Sequence, residues 1–238
     1  MTDESRPADR PGRRLPLPET IADAVANAIA TGALQPGDRV VETSLAEELK
    51  VSRVPTREAL KVLATQGILV AGPHKGYRVA SFDEATVSRI LEIRLSLESI
   101  LLRDAIQNWQ ARAADFAELE AVIAALEAAA AAGDKRASLR ADLEFHRAIG
   151  RASGNGIALT LWEAIARHVL IIFSRAEYRD DDLGAVVEQH RQLLAFIQAR
   201  AATRGSMEEI RQGIEDHLLR IPRDRARSGG HLADTSGG

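Results

Sequence analysis

VSRVPTREALKVLATQG, residues 51–67, is the stretch that decides the N-terminal fold. Ser52 is a natural helix cap, and Pro55 falls in the first turn, where its missing N–H costs little. Ala59, Leu60 and Leu63 continue an apolar stripe at helical spacing, and Gly67 ends it. Just upstream, ETSLAEELK (42–50) predicts a two-turn helix. Ser44 and Glu47 have capping-box spacing there, and Leu45, Ala46 and Leu49 form its buried side. The turn residues LQPGD (34–38) separate it from an amphipathic helix over 19–31, striped by Ile21, Val25, Ala28 and Ile29. Downstream, ILVA and YRVA flank GPHKG (72–76), a two-stranded hairpin with a basic tip.

Three short helices and a basic hairpin predict a winged helix-turn-helix, whose third helix enters the major groove by its N-terminus. Charge agrees. The 238-residue chain has a formal net charge of −3, yet residues 50–80 hold six basic residues and one acid, while residues 81–238 hold 20 Lys/Arg and 24 Asp/Glu. A basic patch on an acidic protein suits a polyanion, although a solvated basic face would look the same. The candidate DNA-binding residues are Ser52, Arg53, Thr56 and Arg57 at the helix start, with His74, Lys75 and Gly76 at the hairpin tip. Arginine can fork onto guanine or phosphate, and the hydroxyls can donate to phosphate oxygens.

Residues 81–83 read as a linker, and everything beyond is helical. Six helices are expected at about 83–107, 112–132, 134–153, 156–178, 182–201 and 205–221, broken at Gly133-Asp134 and at 154–156, forming an antiparallel bundle. The domain plan is therefore a disordered arm (1–16), a DNA-binding domain (17–80), a helical effector-binding and dimerisation domain (84–221) and a disordered tail (222–238). No stretch is apolar enough to predict a membrane span. The absence of cysteine excludes disulfides and thiolate chemistry, and a reducing cytoplasm is the expected compartment.

Polar residues interrupt the apolar stripes of this second domain at particular places. Leu139, Asp142, His146 and Ile149 share one helix face. Val186, His190, Leu193 and Ile197 share another, and Ile210, Ile214, His217 and Ile221 a third. Each histidine alone could be a satisfied core residue. Three of them with a carboxylate instead suggest a divalent metal site, with two positions left for water or ligand. Zinc, nickel or manganese would suit this donor set. Arg94 lies on the stripe Val87, Ile90, Arg94, Leu97, Leu101, where a buried guanidinium needs an anion. That anion is either an internal partner such as Glu98 or Asp142, or the carboxylate of a bound effector. Trp162 is a second candidate pocket residue, on a stripe that would also serve as core. Leu101, Leu102 and Ile106 are expected on an outer face that holds a two-fold dimer.

The segment from Ile21 to Ala80 resembles the DNA-binding domain of GntR-type regulators, through VSRVPTREAL (51–60), L-x-PGDR (34–39) and SLAEEL (44–49). That resemblance implies DNA contacts from Arg53, Arg57 and Gly76. The chain departs from the family pattern at Thr43, where a basic residue is usual, and at Val54, where threonine is commoner. ADLEFHRAIGRASGN (141–155) is similar to the aspartate-histidine helix of FCD-type effector domains, and EQHRQLL (188–194) and IEDHLL (214–219) continue the match. This implies metal ligands at Asp142, His146, His190 and His217 and a small carboxylate as effector. The spacing from His190 to His217 is longer than usual, as if by an insertion around 202–206. The expected function is a ligand-responsive transcription repressor binding a palindromic operator as a homodimer. The alternatives are a regulator with a purely structural metal and a helical metalloenzyme.

Overall fold

The computed structural model describes residues 17–72, 76–175, 181–203 and 206–218. The arm and tail expected at the two ends lie outside them, as do His74 and Lys75. Among the described residues there are nine helices and one small sheet: α1 (Leu17–Ala30), β1 (Arg39–Val40), α2 (Glu42–Glu48), α3 (Arg53–Thr65), β2 (Leu69–Ala71), β3 (Tyr77–Val79), α4 (Glu84–Ala111), α5 (Ala117–Ala132), α6 (Lys135–Ala152), α7 (Gly156–Ser174), α8 (Leu183–Ala202) and α9 (Met207–Leu218). The chain divides into two compact units. One holds α1 up to Val25 together with 35–80, and the other holds 26–34 together with the chain from Ser81 onward.

The first unit is a winged helix-turn-helix. Its sheet has the order β1-β3-β2, antiparallel throughout, so the expected two-stranded hairpin gains a third strand in which Val40 pairs with Tyr77. That added strand also corrects the start of α2. The chain leaves β1 through extended Val41, which is the N-cap, so the first helical residue is Glu42 and Ser44 lies inside the helix rather than capping it. The α2–α3 turn closes as a Schellman motif, with Lys50 N–H donating to Glu47 O and Val51 N–H donating to Ala46 O. Lys50 adopts φ +54° there, a left-handed position that a side chain occupies at some cost. Gly76 sits in the wing at φ +132°, where a Cβ would lie 3.3 Å from Val40 O. Glycine thus lets β3 come in beside β1.

In the second unit, α4 is the spine and packs against α6, α7, α8 and α9. One core cluster joins Leu102, Ile106, Leu126, Phe145, Ile149, Ile197 and Ile214 across five helices, and a second centres on Trp162 and Leu101 between α4, α6 and α7. This overturns one expectation. Leu101, Leu102 and Ile106 are 1%, 0% and 2% exposed, so they build the core of the single chain and are unavailable to a partner. Their stripe faces α6 and α7 because α4 is covered on most of its circumference. The exposed apolar residues of this region are instead Ile93, Ile157 and Leu161. By length and composition α7 could cross a membrane, but in the structure it carries buried Arg167 and His168 and packs against α4 and α6, as a core helix does.

Truncating Leu102 to alanine should lower unfolding free energy by about 2–5 kcal/mol, whereas Ile93→Ala should change it by less than about 0.5 kcal/mol. Chemical denaturation of the two variants checks this. Similar small losses for both would return Leu102 to the surface.

Candidate functional site

Two constellations stand out, one in each unit. The first is the start of α3. Arg53, Val54 and Arg57 are exposed at its N-terminal turns, and Ser52 beside them is exposed as well. Ser52 is the N-cap residue, although its hydroxyl makes no capping bond. Thr56 departs from expectation. It is fully buried, and its hydroxyl donates to Ser52 O at 3.0 Å, which braces the first turn and leaves nothing for a phosphate. Glu42 carries no signal in the sequence. Its carboxylate accepts from Arg53 Nε at 3.0 Å and from Arg57 Nε and Nη2 at 2.8 and 2.9 Å, holding both arginines side by side. The Arg57 hydrogen bond is the main cause that lowers the Glu42 carboxyl to about 2. Of the expected wing contacts, His74 and Lys75 lie outside the described residues.

The second constellation is the meeting of α6, α8 and α9 against α4. Asp142 and His146 are four residues apart on α6, so both point the same way. One ligand atom from each of Asp142, His146, His190 and His217 lies within 4.8 Å of the others. Asp142 Oδ1 is 3.2 Å from His190 Nε2, and His146 Nε2 is 3.3 Å from His217 Nε2. The far nitrogens are turned to other work. His190 Nδ1 is 2.8 Å from Val186 O, so it carries the proton and leaves Nε2 as a lone pair. His146 Nδ1 lies 2.7 Å from Glu98 Oε2, off the line of a well-formed hydrogen bond. Both ring nitrogens are thereby oriented by oxygens on the outer side, the arrangement that fixes the tautomer of metal-binding histidines.

Charge balance at this point is tight. Burial alone would raise the Asp142 carboxyl, but the His190 ring beside it and the charge of Arg94 hold it well below the usual carboxylate range. Glu98, also buried, is held down in the same direction by Arg94 and His146. Burial pushes the His217 imidazole well below its ordinary value, reinforced by the neighbouring histidines, so it is neutral, as a metal ligand must be. His190 Nε2 is buried without a well-formed hydrogen bond. An anionic oxygen and three inward imidazole nitrogens, one of them buried without a hydrogen bond, fit a divalent cation.

Arg94 combines the two readings its sequence position left open. It is 3% exposed, donates from Nε to Glu98 Oε1 at 2.7 Å and lies 3.8 Å from Asp142. It also lines a cavity of about 410 Å³, whose walls include Asp142 and His217. Trp162 lies elsewhere. It is fully buried outside the cavity wall, and its indole N–H donates to Glu98 Oε1 at 3.0 Å. Glu98 is therefore the hub that collects Arg94, Trp162 and His146. Its sequence signal is its place four residues beyond Arg94 on one helix stripe.

Residues 17–79 match the family described as bacterial regulatory proteins, gntR family, and residues 89–218 match the FCD domain. The chain is 32% identical to a probable D-xylose utilization operon transcriptional repressor of Paenarthrobacter nicotinovorans, covering 78% of this chain and 80% of that protein. It is 30% identical to the transcriptional repressor GlaR of Escherichia coli, over 81% of this chain and 88% of that one. Its fold is that of the solved E. coli McbR/YncC structure, with TM-score 0.73 at 24% identity, covering 91% of this chain and all of the other.

A carboxyl held as low as Glu42 stays ionised through the ordinary carboxylate range, and its contacts with Arg57 and Arg53 are lost only as pH falls through about 2. NMR titration of its side-chain carbon should show that midpoint, and Arg57→Gln should move it up toward 4.5. A midpoint already near 4.5 in the unaltered protein would remove the clamp.

Proposed function

The chain belongs to the GntR family of bacterial regulatory proteins and carries an FCD domain, and from that premise we propose a repressor whose grip on a palindromic operator is set by a small carboxylate bound beside a metal ion. It is a DNA-binding transcription regulator and not an enzyme. The repressing direction is supported by the two relatives named as repressors.

The observation that carries the effector reading is the convergence of Asp142, His146, His190 and His217 on one point at the wall of a 410 Å³ cavity. A resident divalent ion would supply an electrophilic anchor for a carboxylate oxygen. Asp142 would offset part of its charge, and the three imidazoles would hold it from separate helices. Arg94 already stands between Glu98 and Asp142, with its guanidinium lining the same cavity, so it can share a hydrogen bond with an incoming carboxylate. The opening onto a cavity favours a sensing site over a closed structural one.

At the operator, Arg53 and Arg57 are the reading residues. Glu42 holds them parallel in the free protein, which lowers the conformational freedom lost on binding. A two-fold dimer presents two such helix starts to half-sites about one DNA turn apart. Its interface is a second copy of the α4–α7 face. Ile93, Leu97 and Ile100 form one stripe there, and Ile157, Leu161 and Ile165 another. Ile157 is 79% exposed and Leu161 53%. These residues continue outward from the Trp162 cluster.

Arg57→Ala should weaken operator binding about 5- to 150-fold in a mobility-shift titration while metal content stays at one equivalent per chain. His190→Ala should do the reverse, losing the metal by elemental analysis while keeping DNA binding in the absence of effector. Loss of both properties in either variant would mean the two sites are not separate. Paired Ile93→Asp and Leu161→Asp substitutions should yield monomers by sedimentation with unchanged helicity. A dimer that survives them uses another face.

A further inference from the structure

The cavity beside the histidines is more cationic than a single carboxylate requires. Besides Arg94, its walls include Arg136 and Arg140, both exposed on α6. Arg94 is already balanced by Glu98. Neither Arg136 nor Arg140 has a side-chain hydrogen bond or ion pair among the described residues. Lys135, also at the wall, is paired with Asp181 at 2.5 Å. The Asp134 carboxylate, which both arginines sense, is committed to capping α6 through the N–H groups of Arg136 and Ala137. Like charges four residues apart on one helix oppose its stability, so the pair has a cost.

A second observation points into the same space. Ser138 is 4% exposed and lines the cavity, yet its hydroxyl has no hydrogen-bond partner. It lies one helical turn from Asp142 on the same face. Gln189 lines the cavity from α8, and its amide likewise lacks a partner. Both groups face the cavity with hydrogen-bonding capacity that an oxygen-bearing ligand can use. The helical rise of about 1.5 Å per residue puts the backbones of Arg140 and Arg136 roughly 3 and 9 Å along α6 from Asp142.

We infer that the effector is a dianion: one carboxylate at the Arg94 and histidine end, a second anionic group, carboxylate or phosphate, between Arg136 and Arg140, and an intervening oxygen within reach of Ser138 and Gln189. This rests on the cavity being the effector site. A resident divalent ion balanced only by Asp142, together with the two unpaired guanidiniums, leaves a local positive excess that a monoanion would not neutralise.

Isothermal titration of zinc-loaded protein tests this with length-matched acids: butyrate against succinate, hexanoate against adipate, and 3-phosphoglycerate as the phosphate arm. At least one dianion should bind tenfold or more tightly than its monoanion. R136Q/R140Q should erase that preference, lowering dianion affinity far more than monoanion affinity, and Ser138→Ala should weaken the dianion several-fold. Whether succinate, adipate or the phosphate binds best identifies the second group. Equal binding of monoanions and dianions overturns the inference but leaves a carboxylate effector standing, as does a preference that persists in R136Q/R140Q. Binding by none of the acids, with zinc still held, overturns both.

Discussion

Two carboxylates inside a helical bundle are the constraint on which the second unit depends. Glu98 is 3% exposed and Asp142 keeps only a fifth of its side-chain surface open. Uncompensated, each would cost more than a well-packed core returns. Compensation comes from four other helices or turns of helix: Arg94 on α4 itself, His146 on α6, Trp162 on α7 and His190 on α8. Because each partner has to reach the same small volume, the helices have little freedom to slide past one another. The apolar clusters supply the driving force for collapse, but their contacts would tolerate several registers. The buried charges select one of them.

The same logic separates what could be read in the sequence from what could not. Helix spacing placed Asp142 and His146 on one face and put His190 and His217 on buried stripes, since period alone determines which side chains share a face. It could not distinguish an inner stripe from an outer one on a helix as enclosed as α4. Leu101, Leu102 and Ile106 therefore seemed free for a dimer when they are core. Trp162 shows a related limit: its stripe revealed that it was buried, while its bond to Glu98 depends on how α7 lies against α4. Thr56 looked like a phosphate donor by residue type and proved to be turned back onto the Ser52 carbonyl. The Glu42 clamp was invisible because it joins α2 to α3 in space and because the capping-box spacing at Ser44 drew the start of α2 three residues too late.

The two basic regions of the chain solve opposite problems. At the start of α3 the arginines are held by Glu42 in the free protein, so under the proposed function a DNA phosphate or base would replace a carboxylate already in place. Part of the electrostatic attraction is thereby surrendered in return for geometry, which favours selectivity over raw affinity. At the cavity, Arg136 and Arg140 are left without such a partner. Their attraction would be available to an arriving anion at the proposed effector site.

His217 must be brought into register with histidines on two other helices, which raises the question of what places the last helix. The answer lies in Gly213. A Cβ at that position would sit 2.6 Å from the Phe196 ring, so α9 lies closer to α8 than any side chain there would permit. Gly213 and His217 are four residues apart and share a face, with Ile210 and Ile214 buried alongside. The close approach at Gly213 consequently brings the imidazole one turn later to within 3.3 Å of His146. The register of α9 is thus set by the ring against the glycine rather than by the length of chain between the helices.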